Sequence, residues 1–97
     1  MSGEIFRYEF PASVAMEDVE SSIVLAVLAT QGLHGEALVR LHARHHLDIA
    51  GRRCVVDAGT PAGSDFNRIL VSFLLCEFGD TGFRVERVEK ERATPKN

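Results

Sequence analysis

One stretch of the chain is dense in side chains that carry chemistry: "RLHARHH", with three histidines and two arginines from Arg40 to His46. Imidazoles bind zinc and move protons near neutral pH, and guanidiniums grip carboxylates and phosphates. Which of these is open depends on the backbone. On a helix, His42 and His46 stand one turn apart and can share a metal ion. On a strand they lie about 13 Å apart, too far for a single zinc.

The residues around the stretch point to a strand. Val39, Leu41 and Ala43 alternate with Arg40, His42 and Arg44, the period of a half-buried strand. "DIAG" follows, with Asp48 at the first position of a type I turn and Gly51 at its last, free to take positive φ. Beyond it "RRCVVDA" puts Cys54, Val56 and Ala58 on one side and Arg53, Val55 and Asp57 on the other. The expectation is a β-hairpin whose first arm shows Arg40, His42, Arg44 and His46 on one face. No zinc site follows from that geometry. The plain reading is a charged edge strand that discourages pairing with another sheet; the functional one is a basic surface of Arg40, His42, Arg44 and Arg53 for a small anionic ligand. His34, in "GLHGE", reads as a solvated loop histidine.

A second candidate is "DAGTPAGSD", which leaves a strand and enters a helix. Its Thr60 and Ser64 hydroxyls, and the free amides of a helix start, are the parts of an anion cradle over Gly59–Ser64. The Walker lysine and the dinucleotide glycine pattern are absent, and ordinary helix capping explains the same residues. Asp57 is the carboxylate best placed to be held, as a turn partner for this loop. No spacing sets a nucleophile beside a base, so no catalytic residue is named and an enzyme is not the favoured class. No cofactor is implied.

The elements that would position these residues follow from periodicity. "EIFRYEF" alternates Phe6, Tyr8 and Phe10 with Arg7 and Glu9 as a strand ended by Pro11. "MEDVESSIVLAVLATQG" opens with Glu17, Asp18 and Glu20, repeats apolar residues at helical spacing, and reaches Gly32 as a C-terminal cap. "PAGSDFNRILVSFLLCEFG" is a second helix, capped by Thr60 or Ser64, and "FRVERVE" a last strand. The order β-α-β-β-α-β resembles the ferredoxin-like α+β sandwich, a four-stranded antiparallel sheet with two helices on one face and the second and fourth strands at its edges. Signatures of several families with that topology are missing: no Cys-x-x-Cys follows the first strand, the third strand has no aromatic residue, and no glycine-rich loop with an arginine follows the first strand. The resemblance is one of topology and carries no function.

Composition bounds the rest. With 97 residues there is room for one domain, read as residues 3–90, followed by a charged, flexible tail over 91–97. A net charge of -3 does not favour nucleic acid. No apolar run approaches the roughly 20 residues of a membrane span, and "MSGEIFRYEF" does not resemble a secretory leader. Cys54 and Cys76 lack redox or metal spacing and are expected buried and reduced, in a cytoplasmic protein. Both helices, however, are apolar too far round: Val24, Leu25 and Leu28 on the first, and Val71 and Leu75 on the second, lie outside the faces turned to the sheet. Such flanks predict a homodimer or higher oligomer.

Overall fold

A computed structural model describes residues 4–89; the tail over 91–97 lies outside them. The fold is α+β. Its elements are β1 (Glu4–Glu9), α1 (Met16–His34), α2 (Glu36–His42), β2 (His45–Asp48), β3 (Arg53–Asp57), α3 (Pro61–Phe78) and β4 (Arg84–Glu89). The four strands form one antiparallel sheet in the order β2-β3-β1-β4, with β2 and β4 at the edges.

Alternation in the strands sets the core. Phe6 and Tyr8 of β1 and Cys54 and Val56 of β3 share the face covered by α1 and α3, where they meet Val19, Ile23, Ala26, Phe66, Leu70 and Leu74. Phe10 and Phe83 close one end of this core with ring centroids 6.2 Å apart. Tyr8 is fully buried, and its hydroxyl donates to Oδ1 of Asn67 on α3 at 2.5 Å, tying sheet to helix through the one polar group that burial would otherwise orphan. Burial pushes the tyrosine pKa upward, with a smaller contribution from Cys54. The phenol therefore acts as a hydrogen-bond donor.

The expected first hairpin arm is corrected. Glu36–His42 is a third helix, and only His45–Asp48 is strand. The apolar alternation hides a helical pair: Val39 and Ala43, four residues apart, are 4% and 7% exposed, whereas Leu41 is 62% exposed. Strand packing would have buried all three. Glu, Ala, Leu and Arg are strong helix formers, Glu36 opens the helix and pairs with Arg40 one turn on at 3.4 Å, and Arg40 and His42 lie at its carboxyl end, where cations suit the dipole. The residue that turns the chain is also corrected. Gly35 (φ 86°), not Gly32, ends α1, its amide donating to the Gln31 carbonyl at 2.8 Å; α2 departs at 119°.

Two further expectations change. In the β2–β3 turn the positive φ belongs to Arg52 (56°), while Gly51 gives its amide to Asp48 Oδ1 at 3.0 Å. Cys54 is buried as expected, but Cys76 is exposed, because α3 turns it away from the Phe66, Leu70 and Leu74 stripe. No single helix among the described residues is long and apolar enough to cross a membrane; α1 and α2 together pass that test only as a pair bent by 119°.

Candidate functional site

The new helix redistributes the basic residues. Arg40 and His42 stand on α2, Arg44 lies in the link to β2, and Arg53 is on the open face of β3. They share no strand face. Arg53 instead joins a row that alternates in charge across the whole sheet, Asp48 to Arg53 to Glu9 to Arg84, set by the strand register. The Arg53–Asp48 and Arg84–Glu9 pairs are each 3.9 Å apart, and in the next row Arg7 meets Glu86 at 3.2 Å. Such exposed pairs contribute about 0–1 kcal/mol each. Their effect is to give the open face no net basic field.

His42 and His46 are likewise separated, one ending α2 and one within β2. Among the described residues no three His, Cys, Asp or Glu side chains come together as a metal site. His34 is not a solvated loop residue: at the end of α1 its Nε2 lies 2.8 Å from Asp65 Oδ2 on α3, a half-buried link between the helices.

The Gly59–Ser64 loop is organised by capping. Asp57 Oδ1 accepts from the Gly59 amide at 3.0 Å. Thr60 Oγ1 accepts from the Gly63 amide at 3.0 Å and donates to the His42 carbonyl at 2.8 Å, so one hydroxyl caps the start of α3 and closes the end of α2. Ser64 lies in the first turn, its amide bonded to the Thr60 carbonyl at 2.8 Å. A Cβ at Gly63 would fall 2.4 Å from the Asp57 carbonyl oxygen. The three segments meet too closely there for any side chain.

Two of the candidate arginines do converge. A groove of about 490 Å³ runs between α1, α2 and the start of β2, lined by Val27, Gln31, Val39, Arg40, Ala43, Arg44 and His45. Val39 and Ala43 form buried parts of its wall, and Val27 packs against the core. Arg44 and His45 also line a smaller hollow of about 240 Å³ with His46, Val55 and Asp57. The His45 ring lies 5.2 Å from that of Phe66. Burial lowers the His45 pKa, a hydrogen bond with the Ala43 backbone opposes the shift, and the neighbouring His46 adds to it.

Gln31 and His45 escape a sequence reading that seeks one alternating face. The signal that finds them is the helical pairing of Val39 with Ala43, which brings the end of α1 and the start of β2 to the same groove.

The helix flanks are open on α1. Val24, Leu25 and Leu28 are 52%, 54% and 57% exposed, and Leu75 on α3 is 43% exposed. Val71 is half-buried against the core, which leaves Leu75 as the open apolar side chain of the α3 flank. Leu33, Leu38 and Leu41, around the α1–α2 bend, are exposed as well. No family model, curated protein or solved structure matches the chain.

Proposed function

We propose that this protein is a small non-enzymatic interaction module of ferredoxin-like arrangement, with α2 inserted between α1 and β2, which self-associates through the outer flank of α1. The observation that carries this reading is the exposed ridge of Val24, Leu25 and Leu28, spaced so that all three lie on neighbouring rows of one helix. Apolar side chains of this size gain about 1.5–3 kcal/mol each on full burial, before the cost of association.

The partner that fits is a second copy. Glu17, Asp18 and Glu20 give α1 an acidic amino end, and the exposed Arg40 follows its carboxyl end on α2. Antiparallel packing of α1 on α1, about a two-fold axis near Leu25 and Leu28, sets each acidic end toward the other copy's α1–α2 bend. The helix dipoles then also oppose favourably. Leu75 of α3 lies at the margin of the proposed interface. Two cysteines outside any disulfide suit a reducing compartment, the cytoplasm.

Light scattering at about 100 μM, well above the micromolar range in which a standard interface holds, tests the reading. The wild type is expected as a dimer or larger, and the Leu25→Glu, Leu75→Glu double variant as a folded monomer. A wild type that stays monomeric overturns self-association, and an oligomer untouched by the two substitutions moves it away from these flanks.

A further inference from the structure

We infer that the groove between α1, α2 and β2 binds a small organic carboxylate with an aliphatic body. Its volume of about 490 Å³ falls within the roughly 300–1,000 Å³ of small-molecule sites, and its lining has their chemistry, an apolar wall with a few convergent polar groups. Val27, Val39 and Ala43 supply the wall. Arg40, Arg44, the Gln31 amide and the His45 ring supply the polar groups.

Charge selects the ligand. Among the described residues no carboxylate lines the groove; Glu36 is held by Arg40 at 3.4 Å, and Asp57 lies in the adjoining hollow with Arg44 and His45 without an ion pair to Arg44. Arg44 has no ion-pair partner among the described residues, and its guanidinium can take a carboxylate through two parallel hydrogen bonds. An inorganic anion would satisfy Arg44 but leave half-buried Val27 and the aliphatic stems of Arg40 and Arg44 uncovered. A neutral alcohol would do the reverse. Only a ligand with both parts uses the groove as built.

The site is separate from the proposed self-association surface, since none of Val24, Leu25 and Leu28 lines it. The test is a two-dimensional NMR titration of the full chain with sodium octanoate, with 1-octanol and inorganic phosphate as controls. Saturable shifts confined to Gln31, Val39 and residues 43–45 are expected, with a Kd of about 1 mM or tighter. Binding weakens at least tenfold in Arg44→Gln, whose side chain is exposed and whose spectrum reports that the fold persists. In Leu25→Glu the same shifts remain. The inference is overturned by the absence of saturation to about 10 mM octanoate, by equal binding of octanol or phosphate, by an unchanged Arg44→Gln, or by shifts centred on Leu25 and Leu28.

Discussion

Arg52 is the residue whose substitution separates a tertiary clamp from the backbone strain that allows it. Its φ of 56° places a branched-at-Cβ-free but bulky side chain in the left-handed region, at a cost of about 1–2 kcal/mol for a residue other than glycine. From that position its side chain donates from Nε to the Phe10 carbonyl at 3.2 Å and from Nη2 to the carbonyls of Pro11, at 2.6 Å, and of Val14. The Arg52 carbonyl meanwhile accepts from the Phe10 amide at 3.0 Å. The β2–β3 turn is thus fastened to the β1–α1 connection. Net gains near 1 kcal/mol per bond, discounted for the solvent that reaches Pro11, give about 2 kcal/mol for the clamp. Arg52→Ala removes the clamp and keeps the strain, for a loss of about 2 kcal/mol. Arg52→Gly removes both, so that about 1 kcal/mol of relief leaves a loss of about 1 kcal/mol. In urea, with a slope of about 1 kcal/mol per M, the midpoints fall by about 2 M and about 1 M respectively. Arg52→Lys, which keeps the charge but reaches fewer carbonyls, lies with the glycine variant. An Arg52→Ala variant as stable as the wild type, with the glycine variant more stable than both by about 1 kcal/mol, would show that the clamp contributes nothing and that only the strain is real.

Gly63→Ala reverses the usual helix preference: alanine normally stabilises a helix interior by about 1 kcal/mol, but the Asp57 carbonyl 2.4 Å from the new Cβ makes a loss of about 1–3 kcal/mol the expected result in thermal unfolding. A gain in Tm refutes the close packing of α3 on β3. The two thiols differ in the same way. Burial pushes the Cys54 thiol up to about 12, while Cys76 is exposed, so a disulfide reagent at pH 8 titrates one thiol in the native protein and two in urea; two fast native thiols would contradict the core assignment. The lowered His45 pKa makes the unfolded chain the better proton acceptor there as pH falls through about 6.5. Stability lost between pH 7.5 and 5.5 is therefore expected to be smaller in His45→Gln than in the wild type, and an equal loss in both removes the burial argument.

The strands were legible where alternation has one interpretation. In β1 and β3 the apolar residues at every second position are the core, and the intervening charges line the open face. The start of α3 was legible for a local reason too, since Thr60 before Pro61 needs no tertiary partner to act as a cap. The stretch around Arg40 was not, because Val39, Leu41 and Ala43 satisfy the strand period while Val39 and Ala43 alone satisfy the helical one. A seven-residue helix gains little from propensity by itself. What selects it is tertiary: the Thr60 hydroxyl on the His42 carbonyl, and the burial of Val39 and Ala43. Neither can be read from the segment's own letters.

That single difference carries the functional reading with it. As a strand, the segment would have presented Arg40, His42 and Arg44 in a line to solvent, a surface without walls. As a helix bent at Gly35, it brings Arg40 and Arg44 to a hollow whose apolar wall is built from the other face of the same turn. The same bend leaves Leu33, Leu38 and Leu41 exposed beyond the α1 ridge, extending apolar surface toward Arg40 rather than into the sheet. Gly35 is therefore the position on which groove and flank both depend. At φ 86° any L side chain is strained, and nothing lies within 4 Å of a Cβ there, so the constraint is conformational and not one of space. A substitution at Gly35 acts on the angle between α1 and α2, and through that angle on both proposed surfaces at once.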